Sequence, residues 1–174
     1  MSFLVRKISM SKWSITDDVV PVNADAITQC LKTTGNTLSF WRINSPADIL
    51  EGVLAIAAAN ERLDTIDVVV IEEACFLQRG IAIRETPGQT VCPDLVSSHR
   101  DLAELNIVHL GFVSEAIAEQ IRLGKTERFT LTKLREIIQG ALKAGRLSYD
   151  LLSEGIQKKV QRLPELVNQE PSAQ

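Results

Sequence analysis

Residues 66–71 read Ile-Asp-Val-Val-Val-Ile, and this run restricts the fold more than any other part of the chain. It is rich in β-branched residues, interrupted only by Asp67, and too short for a core helix. Continuous rather than alternating hydrophobicity implies a strand covered on both faces, as in a parallel strand packed between helices. Upstream, Thr37 to Ile43 alternates with period two and predicts a second strand. Ser45-Pro46 then supplies an N-cap followed by proline at the first helical position, where the missing N–H costs nothing. Between the two strands, Ile49, Leu50, Val53, Leu54, Ala57 and Ala58 predict a helix over Ala47 to Asn60. Strand, helix, strand from 37 to 71 is the pattern of a βαβ unit with a right-handed crossover.

Around this unit, Phe3 to Ser9 predicts a first strand and Ile81 to Arg84 a short edge strand, with Thr86-Pro87-Gly88 as a turn. Ser11 to Val22 is polar, carries Asp17, Asp18 and Pro21, and predicts a loop anchored by Trp13. Asn23 caps a short helix that Gly35-Asn36 closes. From Asp94 the pattern changes to helical. Leu95, His99, Leu102 and Asn106 fall on one helical line, which extends or kinks through Ile107 to Leu123. Thr130 or Thr132 opens a further helix that ends at Gly145. Ser148 caps a last one, with Leu151, Leu152, Ile156 and Val160, up to Pro164.

The expected fold is therefore α/β or α+β, with a small mixed, partly parallel sheet in the N-terminal half and a helical C-terminal half. Residues 1–93 form the α/β region and 94–167 the helical region, packed as one compact unit, and 168–174 form a disordered tail.

Charge divides along the same line. Residues 1–121 hold nine Lys/Arg against sixteen Asp/Glu, whereas residues 122–162 hold ten against four. A basic segment of this kind implies a partner for it. The candidates are the acidic half of the same chain, an acidic protein, or nucleic acid. Arg122, Lys125, Arg128, Lys133, Arg135, Lys143 and Arg146 are the residues that would line such a surface, with Lys158, Lys159 and Arg162 beyond them. Nucleic acid is disfavoured by the shortage of aromatics for stacking, since only Phe129 and Tyr149 lie there.

For chemistry, the polar end of the 66–71 strand offers Glu72, Glu73 and Cys75, where α/β sheets place their ligands. Adjacent residues on a strand point to opposite faces, so the two glutamates cannot act on one atom unless they leave the strand. A cysteine nucleophile needs a neighbouring histidine or positive charge. His99 is the available imidazole, and a structural histidine hydrogen-bonded in the core is its favoured reading. His99-Arg100-Asp101 has the letters of a kinase catalytic triplet without the glycine-rich loop or DFG that the chemistry requires. Gly124-Lys125-Thr126 lacks the glycine spacing of a phosphate-binding loop. Cys30, Cys75 and Cys92 form no close pair, so no zinc site or disulfide framework is expected, and no cofactor or metal.

The longest apolar run, Val53 to Ala59, is far short of the ~20 residues a membrane span requires. Charges follow the N-terminal apolar run rather than precede it, which is the wrong order for a secretory leader, so a cytoplasmic location is expected. The leading expectation is a non-catalytic protein that binds another macromolecule, an accessory, antitoxin or immunity-type factor, with homo-oligomerisation left open. The alternative is a nucleic-acid-binding module using residues 122–162. The third is a small enzyme with its site after the 66–71 strand, built on Glu72, Glu73, Cys75 and His99.

Overall fold

The structure is a computed structural model that describes residues 1–13 and 22–160. The polar loop expected around Asp17, Asp18 and Pro21, the helix stop at Pro164, Arg162 and the tail from residue 168 lie outside the described residues.

Six strands form one sheet: β1 (Phe3–Ile8), β2 (Leu38–Ile43), β3 (Ile66–Glu72), β4 (Ala82–Glu85), β5 (His99–Ala103) and β6 (Thr126–Phe129), in the spatial order β4-β5-β2-β1-β3-β6. Six α-helices cover it. They are α1 (Ala24–Cys30), α2 (Ile49–Ala58), α3 (Glu73–Leu77), α4 (Ile107–Arg122), α5 (Leu131–Lys143) and α6 (Glu154–Val160). Helices α2, α5 and α6 pack on one face, with Val5, Trp41, Ile66, Val68 and Phe129 beneath them. Helices α1, α3 and α4 pack on the other, over Leu4, Phe40, Val69, Ile71 and Leu102. Double-sided burial is what the unbroken hydrophobicity of β3 demands.

The direction of pairing is not what that hydrophobicity suggests. Every paired strand runs antiparallel to its neighbours, so the sheet is not partly parallel. β1 lies between β2 and β3 and is antiparallel to both, so β2 and β3 do point the same way. The expected βαβ unit is present in split form, with β1 inserted at its centre. Continuous apolar sequence reports that both faces are covered, and it carries no information on strand direction.

Helix α2 starts as its sequence requires. Ser45 and Asp48 form a reciprocal capping box around Pro46, and a short 3-10 turn over Pro46–Asp48 leads into Ile49. Gly35 and Asn36, both at positive φ (61° and 59°), do not close α1. They make the tight turn between Thr34 and Thr37 that leads into β2.

The segment from Asp94 departs most from expectation. Pro93–Ser98 is a 3-10 turn and His99–Ala103 is strand β5, paired with β2 and β4. Leu95 and Leu102, which share a helical line by spacing, pack into opposite cores on opposite faces of the sheet. Arg100, only 8 % exposed, lies opposite Glu85 of β4 and pairs with it at 2.9 Å. The stretch from 94 to 160 is thus not all-helical, since it supplies both β5 and β6. The last expected helix is also broken, into a 3-10 turn at Tyr149–Leu151 and α6.

Candidate cleft at the end of strand β3

Strand β6 pairs only with Ile66 to Val69, so β3 runs three residues past it. The chain reaches β6 from α4 through a turn at Gly124, whose φ of +65° suits glycine. The notch left beside Val70 to Glu72 is a cleft of about 560 Å³. Phe3, Pro46, Ile49 and Val70 supply its apolar lining. Glu72 and Cys75 reach it from the β3–α3 junction, and Lys125, Thr126 and Glu127 from the start of β6. Cys75 is the exposed one of three free cysteines, Cys30 and Cys92 being buried.

Only part of the expected catalytic set meets here. The strand ends at Glu72 and α3 begins at Glu73, so the two glutamates separate by a change of secondary structure. Glu73 accepts a hydrogen bond from the Ser2 hydroxyl and lies 3.5 Å from Arg42 Nε. His99 is elsewhere. It faces Trp41 on β2, Trp41 faces Val5 on β1, and Val5 faces Val70 on β3. Three strand spacings of ~4.8 Å place it about 14 Å from Val70, before the two further residues to Glu72. It lies edge-on to Trp41, with Nδ1 2.8 Å from the Thr86 hydroxyl, which donates to Asp101. His99 therefore lies on a strand, not on the helix expected. His109, in the first turn of α4, is ~16 Å of helix away from Gln120 at the cleft. Among the described residues, no three His, Cys, Asp or Glu side chains gather as metal ligands.

No family model, curated protein or solved structure matches this chain.

The basic residues after Ile121 are distributed rather than gathered. Arg146 spans the two halves of the chain, hydrogen-bonding Glu51 at 3.0 Å and Asp94 at 2.8 Å, and its guanidinium pKa is raised chiefly by Glu51. Arg128 pairs with Asp67 at 3.6 Å, and Lys159 with Asp64 at 3.0 Å. Arg122 pairs with Glu119 on its own helix, and Lys133 with Glu127 at 2.6 Å while lying over the Phe129 ring. Lys158 faces Glu154 one turn away. Among the described residues, Lys125, Arg135 and Lys143 make no ion pair; Lys125 lines the cleft, and Arg135 Nε is buried without a hydrogen-bond partner.

Cys92 lies buried beside this cluster, hydrogen-bonded to Asp94. Its Sγ donates to Asp94 Oδ1 at 2.9 Å, and burial first, with this bond second, pushes its pKa up to about 12. The same bond, seconded by Arg146, holds the Asp94 carboxyl below its ordinary range. In the unfolded chain the thiol ionises near ~8.5. The folded state therefore keeps a proton that the unfolded state loses, and stability from this group falls as pH rises from about 8.5 toward 12. Urea melts are expected to show unfolding growing more favourable by about tenfold per pH unit between pH 9 and 11, beyond the slope of Cys92→Ala. Parallel slopes for the two proteins would show that the thiol is not held neutral by the fold.

Glu72 and Cys75 are legible as a site in the sequence, but the opposite wall is not. Lys125 is expected in a basic partner-binding surface rather than beside Glu72, Thr126 stands only in a failed phosphate-loop triplet, and Phe3, Pro46 and Ile49 carry only strand and helix signals. A helix-ending glycine followed by the alternating Thr-Glu-Arg-Phe was the available signal for β6.

Proposed function

We propose that the protein works by binding another protein, as an accessory, antitoxin or immunity-type factor does, and that the cleft at the end of β3 receives an apolar side chain of that partner. The observation that carries this reading is the composition of the cleft: an apolar lining from Phe3, Pro46, Ile49 and Val70 inside a rim charged by Glu72, Glu127 and Lys125. Interfaces concentrate their affinity in such pockets, filled by one large anchor and ringed by polar groups. Glu127 is already paired with Lys133 at 2.6 Å, so Glu72 and Lys125, one charge of each sign, are the lining charges left to orient a partner.

Thr126→Trp tests the reading, because Thr126 lines the cleft on an edge strand and an indole there fills it without removing core. A tagged full-length chain is expected to recover a stoichiometric protein from its native extract. The affinity of that complex should fall about 30-fold in Thr126→Trp, the ~2 kcal/mol of a lost anchor. Equal affinity in the variant would remove the cleft from the interface.

A catalytic use of the same cleft is favoured by one observation, that Glu72 and Cys75 line it together. Such a site would have to use Glu72 as its base, since His99 is three strands away. Retention of partner binding in Cys75→Ser, together with an unchanged complex, separates binding from thiol chemistry. A nucleic-acid surface has less support, because most of its expected cations face carboxylates of this same chain.

A further inference from the structure

Strand β3 has an open edge inside the cleft. Glu73 N–H donates to the Ser2 carbonyl across the β1–β3 ladder at 3.0 Å. In an antiparallel pair, the residues that exchange hydrogen bonds alternate along the strand. Odd-numbered residues of β3 therefore direct their backbone groups at β1, and Ile66, Val68, Val70 and Glu72 direct theirs toward the line of β6. β6 pairs with β3 only as far as Thr126 opposite Val69. One step further, Lys125 N–H turns away to the Gln120 carbonyl at 2.8 Å, where α4 ends. Glu72 N–H thus points into the cleft along the line of β6, with no strand beside it among the described residues. An edge left open in this way accepts an added strand.

The apolar lining stands over the same edge. Glu72 pairs with Phe3 and lies two residues from Val70, so its side chain takes the side of the sheet that they occupy. Phe3, Ile49 and Val70 all pack against the core beneath α2. A residue hydrogen-bonded to Glu72 would turn its own side chain to this lining. Backbone pairing and apolar anchoring are therefore open to one and the same residue of a partner.

Chain direction and charge decide which part of a partner fits. The line of β6 is already filled from Lys125 onward, so a strand added along it must stop there. Lys125 lines the cleft and makes no ion pair among the described residues. A strand running in the direction of β6 would end against Lys125 with its carboxylate, whereas the reverse direction would bring an ammonium to it. Glu72 lies farther out along the same line. The charges to be met are thus a carboxylate at the end of the strand and a cation behind it.

We propose that the cleft binds the C-terminus of the partner protein as a short strand added to β3, an inference that rests on the reading that the cleft takes a partner's apolar side chain. The terminal residue is apolar and enters the lining of Phe3, Ile49 and Val70. Its carboxylate accepts from Glu72 N–H and Lys125 Nζ. A lysine or arginine two residues earlier stands on the same side of the added strand and faces the Glu72 carboxylate.

The test is titration of the full-length ¹⁵N-labelled chain with acetyl-Ala-Lys-Ala-Leu, with its C-terminal amide, and with acetyl-Ala-Glu-Ala-Leu. The free acid is expected to give a saturable shift of the Glu72 backbone N–H signal. The amide and the glutamate peptide should each bind about tenfold more weakly. Lys125→Gln, a change at an exposed side chain, should remove the difference between acid and amide. Equal binding of acid and amide overturns the C-terminal assignment, and if both are lost in Thr126→Trp the anchor reading still stands. Saturation without a shift at Glu72 overturns the strand pairing. No saturation by the free acid up to about 10 mM overturns the inference as a whole. The native complex, and its weakening in Thr126→Trp, then decide the anchor reading separately.

Discussion

Phe129→Ala is expected to lower the free energy of unfolding by about 3–5 kcal/mol, the cost of an aromatic cavity that the surroundings cannot fill. Phe129 has no solvent exposure, closes the four-residue strand β6 opposite Ile66, and shares a core with Leu134 and Ile138 of α5. It is the side chain that holds both the edge strand and the following helix to the sheet. Domains of this size have about 5–15 kcal/mol in total, so a loss of this order leaves the fold marginal. Urea unfolding measures it directly. A change under 1 kcal/mol would mean that β6 is not packed as described, and with it the Thr126–Glu127 wall of the cleft.

Gly52→Ala should also destabilise, although in most helices it would do the reverse. Glycine in a helix interior costs about 1 kcal/mol relative to alanine, so propensity alone predicts a more stable protein. Here α2 lies directly on β1. A Cβ at position 52 would stand 2.8 Å from Val5 Cγ2 and 2.9 Å from Val5 Cβ. Val5 is β-branched, fully buried, and fixed between Trp41 and Val70 on the neighbouring strands, so it has little room to give. Overpacking of this kind costs about 1–3 kcal/mol, which outweighs the propensity gain. The expected net loss is up to about 2 kcal/mol for alanine, and Gly52→Leu should not fold. A thermal midpoint above wild type for Gly52→Ala would contradict the contact between α2 and β1.

The sequence carried local information faithfully and pairing information hardly at all. Ile66 to Ile71 announces a strand buried on both faces, and Ser45-Pro46 announces the start of α2, because each depends on neighbours in the chain. Strand direction depends on where β1 inserts, and nothing in residues 37–71 encodes that. His99 to Ala103 reads as helix because Leu95, His99, Leu102 and Asn106 imitate helical spacing, although only His99 and Leu102 of these belong to the short strand β5. The charge split between residues 1–121 and 122–162 is partly resolved within the molecule, through Arg128 with Asp67, Arg146 with Glu51 and Asp94, and Lys159 with Asp64. The candidate cleft was half legible. Glu72 and Cys75 follow a recognisable strand, but Lys125, Thr126 and Phe3 join them only through tertiary pairing of β6 and β1 with β3.

A partner protein seated in the cleft at the end of β3 is the central claim, and Cys75 offers the most direct measurement of it. Being the exposed thiol of the three, it can carry a benzophenone maleimide on the otherwise unmodified chain. Irradiation in the native extract is predicted to give one adduct of defined mass, in yield at least about tenfold lower for Thr126→Trp. A control places the probe through Glu154→Cys in a Cys75→Ser background, at a helix that packs against Glu61 and Arg62 near the opposite end of β3. That control should give no such adduct. The absence of an adduct from Cys75, or the same adduct in equal yield from Thr126→Trp or from the control position, would contradict the account.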